Sequence, residues 1–237
     1  MAITVIHVVR SSFNPQSARP APRRRGLPSA AIVIALALAF GTLAARIDRA
    51  AAAEDAGIGG APVAAVKATL DEAAPVFANT TMAPAERQKK LRVIAARRFD
   101  FTYMARSAMG THWKTLTPAQ RRQFVPIFTD YVMDTYLSTL QQSTVDAAGR
   151  GLTNKVTLDG SDLATVYSVV KLPSLADPLH VNYALRRDSG GWMLYDIVVD
   201  DVSTMANYRD EFNKTMNGDG YDKLIGDLKR RTAPAAH

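Results

Sequence analysis

The 237-residue chain contains no cysteine. That absence excludes disulfide bonds, thiolate metal ligands, cysteine nucleophiles and a lipid-modified N-terminal cysteine. Histidine is also scarce, and no spacing among His7, His112, His180 and His237 matches a metal-binding motif. No serine lies in a Gly-x-Ser-x-Gly turn, and no glycine-rich stretch matches a phosphate-binding loop. The sequence therefore predicts no metal site, no catalytic residue and no cofactor.

Three acidic residues near a predicted strand end, Asp196, Asp200 and Asp201, are the remaining candidates for a general base. Acidic residues are also common in solvent-facing turns and at helix N-termini, where the helix dipole favours negative charge. We adopt this second interpretation, so the chain is not predicted to be an enzyme.

Positive charge is concentrated at the N-terminus. The whole chain has 29 Lys and Arg against 22 Asp and Glu, a formal net charge of +7. Seven of these basic residues and one acidic residue, Asp48, precede Glu54, which leaves 22 basic and 21 acidic residues in the rest. A nearly neutral remainder, in which basic and aromatic residues are not interleaved on one face, argues against nucleic-acid binding.

Residues 1–53 have the order of a secretory signal peptide with a long basic n-region. Three consecutive arginines at 23–25 precede an uncharged apolar run over 26–45, and small residues cluster at 50–53. The alternative is an uncleaved membrane anchor, because about 20 apolar residues are enough to cross a bilayer. We predict cleavage, a linker over 54–61, and a soluble protein in a periplasm-like compartment.

Apolar residues recur at helical spacing in the first half of the remaining chain. The spacing predicts helices over 62–78, 84–99, 101–109 and 118–142. Asp100 is predicted to cap the third helix, and Thr117 with Gln120 to form a capping box for the fourth. Pro126 lies inside the fourth pattern and is expected to bend that helix rather than end it.

Period-2 alternation replaces helical spacing after Gly151. It predicts strands over 152–158, 162–172, 180–187 and 192–199, and Asp200 and Asp201 are expected to end the sheet. Ser203 is predicted to cap another helix, and a last helix precedes a disordered tail over 232–237. N-terminal helices, a four-stranded antiparallel sheet and C-terminal helices predict one α+β domain over 62–231.

The apolar content of the long fourth helix has two explanations. Phe124, Phe128, Tyr131, Val132 and Tyr136 place hydrophobic groups on more than one side of it. Some predicted strands are likewise apolar on both faces. One explanation is ordinary core, and the other is an open cavity between helices and sheet. Periodicity alone does not distinguish the two.

Two stretches resemble the MlaC, or toluene-tolerance, family of periplasmic phospholipid-binding components of an ABC transport system. Residues 99–128 contain a Phe-Asp-x-x-x-Met-Ala-Arg helix, then Gly and Trp, then a helix that begins Thr-Pro-x-Gln. Residues 192–212 contain a Trp-x-x-Tyr-Asp strand, a Val-Ser turn and an Asn-Tyr-Arg-x-x-Phe helix. The resemblance covers most of 62–230. Asp201 stands where the family commonly has glycine.

The resemblance implies a cone-shaped fold, similar in general shape to nuclear transport factor, that encloses a hydrophobic cavity. It also implies a soluble periplasmic carrier in a Gram-negative bacterium. Such a carrier shuttles glycerophospholipid between an outer-membrane lipoprotein–porin complex and an inner-membrane ABC transporter with an MCE-domain protein, and so maintains outer-membrane lipid asymmetry. Two alternatives stay open: a hopanoid-associated lipid carrier of the same family, and a membrane-anchored, non-enzymatic interaction protein.

Two acyl tails of about 14 methylenes each would need about 750 Å³, an ordinary volume for a ligand cavity. The predicted tail contacts are Phe128, Val132, Tyr136, Val166, Val181, Tyr183, Leu185, Tyr195 and Ile197. Met104 and Trp113 are predicted to be structural. Tyr208, Arg209 and Phe212 carry part of the family motif and are predicted to dock the C-terminal helix on the sheet.

Overall fold

The computed structural model describes residues 9–10, 60–79, 81–142, 150–170 and 177–232. In these parts of the chain the helices are α1 (Gly60–Ala78), α2 (Pro84–Arg98), α3 (Phe101–Met109), a 3₁₀ helix (Gly110–Lys114), α4 (Pro118–Gln142), α5 (Thr204–Gly218) and α6 (Gly220–Thr232). The strands are β1 (Val9–Arg10), β2 (Arg150–Asp159), β3 (Leu163–Val170), β4 (Leu179–Asp188), β5 (Gly191–Val199) and β6 (Val202–Ser203). Most of the predicted signal peptide and linker lies outside the described residues.

Side-chain caps explain where three helices begin. The Asp100 carboxylate accepts a hydrogen bond of 2.8 Å from an amide in the first turn of α3. Thr117 and Gln120 form the predicted capping box, with reciprocal bonds of 3.2 and 2.9 Å between side chain and amide. The Ser203 hydroxyl accepts from an amide of α5 at 2.9 Å. All three predicted caps are confirmed, and α4 continues through Pro126 to its predicted end.

The sheet has one more antiparallel strand than predicted. Strands β2 to β5 form the expected meander, and β6 pairs antiparallel with the end of β5. Sequence analysis placed the end of the sheet at Asp200 and Asp201 because a two-residue strand is too short to show alternation. At the opposite edge, β1 pairs in parallel with Thr157 and Leu158 of β2.

Helix α1 covers one face of the sheet and contacts β2, β3 and β5. Val181, Tyr183 and Leu185 of β4 point to this face and are almost fully buried, which confirms their predicted alternation. Val66 of α1 and Val166 of β3 pack against the same cluster. Burial of one such side chain contributes roughly 1.5–3 kcal/mol, so this cluster is the main attachment of α1 to the sheet.

Strand β5 contains a bulge next to β4. Ala184 pairs with Asp196, but Leu185 pairs with Leu194, so Tyr195 is an extra residue on β5. In a regular strand, residues three apart point to opposite faces. Here the extra residue lets Leu194 and Ile197 both enter the core formed with α1.

A second core lies between the helices. Phe124 and Phe128 of α4 stack with ring centroids 5.5 Å apart, and both meet Phe212 of α5 edge-on at 6.0 and 6.1 Å. Tyr208 of α5 meets Phe128 at 5.8 Å. Tyr208 and Phe212 pack on α4, whereas sequence analysis predicted that they dock α5 on the sheet. This part of the motif therefore forms a contact between two helices.

The turn between β5 and β6 consists of Asp200 and Asp201. Their φ angles are +44° and +66°, so both residues are left-handed, as a two-residue type I′ hairpin turn requires. The Asp200 carboxylate accepts the His180 amide at 2.9 Å and so holds the turn against β4. Such turns favour Asp-Gly, because glycine adopts a positive φ without steric cost.

Replacing Asp201 with glycine is expected to stabilise the protein by about 0.5 kcal/mol, because it relieves the left-handed strain at the second turn position. Urea denaturation measures the change. Asp200→Gly is the matched control: it relieves similar strain but removes the hydrogen bond to His180, so no gain is expected. Equal stabilisation by both substitutions would contradict this account of the turn.

Candidate functional site

An apolar cavity of about 70 Å³ lies where the sheet meets the helices. Its wall combines α1, α2, α3, α4, α5 and strand β5. The lining residues are Ala73, Phe77, Leu91, Ile94, Ala95, Phe99, Phe101, Met104, Val132, Met133, Tyr136, Asp196, Ile197, Thr204 and Met205. Because nearly all of these side chains are hydrophobic, the wall can hold hydrocarbon by burial and close packing.

The segment between α2 and α3 is attached to β5 and places two phenylalanines at the cavity. Phe99 forms a parallel bridge with Leu194, and the Asp100 amide donates to the Leu194 carbonyl at 2.8 Å. The Arg186 guanidinium donates to the other Asp100 oxygen at 2.8 Å. Phe101 follows directly, and its ring centroid is 6.0 Å from that of Phe99. Asp100 therefore caps α3 and pairs with Arg186, and it lies between the two phenylalanines of the cavity wall.

Asp196 is the only acidic or basic residue among those that line the wall. One of its oxygens accepts the Met205 amide at 3.1 Å, at the N-terminus of α5. The other accepts the Ser203 hydroxyl. Burial raises the pKa of Asp196 from 3.8 to about 6, and these hydrogen bonds lower it only in part. The solvent-facing interpretation holds for the exposed Asp200 and Asp201 but is wrong for Asp196, which is buried at a helix N-terminus.

The raised pKa of Asp196 predicts a pH dependence of stability. The folded state binds this proton more tightly than the unfolded state, so the stabilisation is complete below pH 3.8 and is lost as pH rises through about 6. The loss amounts to about 3 kcal/mol. Asp196→Asn keeps an acceptor for Met205 but cannot ionise, so the difference in unfolding free energy between variant and wild type should change by most of that amount between pH 4 and pH 7.

Urea unfolding at several pH values measures this difference. Asp210→Asn, at an exposed position of α5, is the control for the removal of a carboxyl group. A profile that is the same in wild type and Asp196→Asn would show that the buried carboxyl does not titrate in this range.

Tyr136 brings a second polar group to the cavity. Its hydroxyl hydrogen-bonds with Tyr208 and Thr204, and burial raises the pKa of Tyr136 to about 12. Thr204 in turn donates to the Ile197 carbonyl at 2.9 Å. The hydroxyl is therefore neutral at physiological pH and already satisfied by protein groups, so the ring is the part of Tyr136 available to a ligand.

The structure brings three of the nine predicted tail contacts to the cavity wall, namely Val132, Tyr136 and Ile197. Four others, Val166, Val181, Tyr183 and Leu185, lie in the core between the sheet and α1. Phe128 lies in the core between the helices, and Tyr195 packs at its margin with its ring 4.8 Å from Tyr103. Contact of these six residues with a ligand remains a prediction.

Sequence analysis missed most of the wall contributed by α1 and α2. The spacing of Leu91, Ile94 and Ala95 predicts a helix but does not distinguish a cavity wall from core. Met104, predicted to be structural, lies on the wall as well.

The two motifs that carry the family resemblance contact each other. Gly110 has a φ of +53°, and a Cβ there would lie 3.0 Å from Cδ of Arg209. The Arg209 guanidinium donates to the Ser107 carbonyl at 3.0 Å. Glycine is required at this position both by the backbone conformation and by the close approach of α5. Arg209 therefore docks α5 on α3 and not on the sheet.

The described residues contain neither a metal-binding cluster nor a membrane-spanning helix. In these parts of the chain no group of three or more His, Asp or Glu side chains is placed to hold a metal ion. Within the same ranges, no helix combines the length and apolar character needed to cross a membrane. The apolar run over 26–45 lies outside them.

Comparison with known proteins identifies the family. A model of the MlaC protein family matches residues 65–230, well over half of the chain. The chain belongs to the MlaC family. The match includes both of the stretches, 99–128 and 192–212, on which the MlaC resemblance was based, and that prediction is confirmed.

A solved structure shares the fold of this MlaC-family protein. It is the phospholipid-binding protein from Ralstonia solanacearum, determined in complex with a phospholipid. The two chains are 21% identical, and the similarity covers 72% of this chain and 96% of that chain with a TM-score of 0.57. This likeness confirms the predicted α+β fold class.

Proposed function

We propose that this MlaC-family protein is a carrier of glycerophospholipid whose acyl tails occupy the cavity between the sheet and the helices. The observation that carries the proposal is the apolar wall, to which five helices and a strand contribute. The Ralstonia solanacearum protein of the same fold was solved with a phospholipid, which supports this choice of ligand. Family and fold point to a binding or transport protein rather than an enzyme.

The free energy of burying the acyl tails determines how fully the cavity must enclose them. Burial of one methylene is worth about 0.8 kcal/mol, so two tails of about 14 methylenes each approach 22 kcal/mol. A carrier must match most of that stabilisation by enclosing both tails. Transfer from a membrane is then nearly balanced in free energy and needs no catalytic residue.

The cavity of about 70 Å³ is far smaller than the roughly 750 Å³ that two tails need, so its walls must separate during loading. Helix α2 is the wall with the weakest attachment. Only Leu91 and Ile94 of α2 are buried, in a small cluster with Ala73 and Met133. The rest of its attachment to α4 is polar, through Arg92 and the carboxylates of that helix. We propose that α2 moves outward to admit lipid.

The proposed place of the carrier follows from the family and the leader. Residues 1–53 would direct export and be removed, leaving a linker over 54–61 and a lipid-binding domain over 62–231. In the periplasm the carrier would exchange glycerophospholipid with an outer-membrane lipoprotein–porin complex and with an inner-membrane ABC transporter that has an MCE-domain protein. The direction of transport would be set by these partners. Val132, Tyr136 and Ile197 are the proposed tail contacts with the best structural support.

The test is to express residues 54–237 behind a cleavable export signal, purify without detergent, and combine native mass spectrometry with lipid extraction. A stoichiometric phospholipid mass is the expected result and would also identify the cargo. A protein without lipid that also fails to extract lipid from vesicles would contradict the carrier function.

A further inference from the structure

Helix α2 has two faces of different chemistry. Its inner face, formed by Leu91, Ile94 and Ala95, lines the cavity. Its outer face, formed by Lys89, Lys90, Val93, Ala96 and Arg97, is exposed to solvent. A single helix therefore separates the proposed lipid site from the surroundings of the protein.

The outer face combines positive charge with an exposed apolar side chain. Val93 is 52% exposed and is the one large hydrophobic residue with such exposure in the described parts of the chain. It lies one helical turn from both Lys89 and Arg97, so it is flanked by cations along the same stripe. Basic residues around an exposed apolar residue are typical of helices that lie on a membrane surface.

The positive charge of α2 is only partly neutralised. The helix has six basic residues and one acidic residue, in a domain whose basic and acidic residues otherwise nearly balance. Lys90 pairs with Glu86, whereas Arg97 and Arg98 share the single carboxylate of Glu72. Lys89 has no ion pair among the described residues. On the outer face, Lys89 is therefore an exposed cation, unpaired within the described residues, and Lys90 and Arg97 are exposed cations held in surface ion pairs.

We propose that the outer face of α2 docks the protein on bilayers that contain anionic phospholipid. The cargo part of this inference rests on the proposed function, but the docking surface is defined by charge and exposure alone. Phosphate headgroups satisfy several flexible cations at once, and the headgroup–acyl boundary accommodates Val93. Protein interfaces usually centre on large, well-packed side chains, whereas this face exposes a single valine. Docking here would place the helix that walls the cavity against the membrane surface.

The experiment measures co-sedimentation of residues 54–237 with vesicles of phosphatidylcholine alone and of phosphatidylcholine with about one third phosphatidylglycerol. The variant Lys89→Gln/Lys90→Gln/Arg97→Gln removes three charges from the outer face and keeps good helix formers. The control Arg122→Gln/Lys214→Gln/Lys229→Gln removes the same number of exposed helical charges elsewhere. Lipid extraction and circular dichroism are carried out on every preparation.

The expected result is binding to anionic vesicles only, weaker at about 0.5 M salt than at about 0.05 M. The outer-face variant should lower the partition coefficient at least tenfold, since each basic group near an anionic surface contributes substantially, and the control should stay within about twofold of wild type. Equal losses in both triple variants would show that only net charge matters and would overturn the proposal.

Two other outcomes separate this inference from the carrier function. A protein that co-purifies with lipid but ignores anionic vesicles would overturn the docking surface and leave the carrier function intact. Binding that depends on the outer face, by a protein that never holds lipid, would support docking and contradict the carrier function. Binding to protein-containing membranes alone, lost in the outer-face variant, would identify an acidic protein as the partner and overturn the lipid-surface proposal.

Discussion

Replacing Ala95 with tryptophan is expected to lower the lipid that co-purifies with the protein at least tenfold, while the fold remains intact. Ala95 lies on the cavity wall and is half-buried, so an indole ring there projects into the space that the tails would use. A tenfold loss corresponds to about 1.4 kcal/mol of binding free energy, less than burial of two methylenes provides. Native mass spectrometry of protein purified without detergent measures lipid occupancy.

The neighbouring residue provides a matched control. Ala96 is exposed on the outer face of α2, so Ala96→Trp adds the same ring to the same helix without reaching the cavity. Its lipid occupancy should equal that of the wild type. If Ala95→Trp retains full occupancy and an unchanged melting temperature, lipid is bound somewhere other than this cavity.

Truncating Phe128 to alanine is expected to cost about 3–5 kcal/mol of unfolding free energy. Phe128 is fully buried, and its ring meets those of Phe124, Tyr208 and Phe212 within 6.1 Å. Removal of the ring leaves a cavity between α4 and α5 that surrounding side chains fill only in part. Guanidinium unfolding of wild type and variant, both stripped of lipid, measures the cost.

Phe77→Ala is the comparison for this second prediction. Phe77 is half-buried on the cavity wall, so its truncation should cost only about 1–2 kcal/mol but should reduce lipid occupancy. Comparison of the two variants thus distinguishes a core residue, whose loss lowers stability, from a wall residue, whose loss lowers lipid occupancy. A stability loss below about 1 kcal/mol in Phe128→Ala would mean that its ring faces the ligand space, as sequence analysis proposed.

The helices could be predicted closely from the sequence because their ends carry local signals. Asp100, Thr117 and Ser203 each mark a helix start through a side chain that accepts a nearby amide, and this chemistry depends on a few neighbouring residues alone. Pro126 could have been taken as a helix end, but helical spacing continues beyond it, and α4 runs from Pro118 to Gln142. Strand β6 had no comparable signal, since its pairing depends on a turn of two non-glycine residues.

The cavity could not be predicted in the same way. Periodicity shows that Leu91, Ile94 and Val132 face the interior. It does not show whether other protein atoms fill the space next to them. The bulge at Tyr195 could not be predicted either, because an extra residue in one strand is recognised only from its pairing with the neighbouring strand. For this reason the sequence predicted that the acidic residues lie in a turn and at a helix N-terminus but did not predict that Asp196 is buried there.

The placement of α1 has a consequence for how the chain folds as it is synthesised. This first helix buries its apolar face on β2, β3 and β5, all of which follow it by a long stretch of chain. The junction of α5 with α3 likewise joins Arg209 to Ser107, 102 residues apart. Since such distant contacts form late and slowly, an emerging chain has no complete core until its C-terminal third has been made. The core is therefore expected to form only near the end of synthesis.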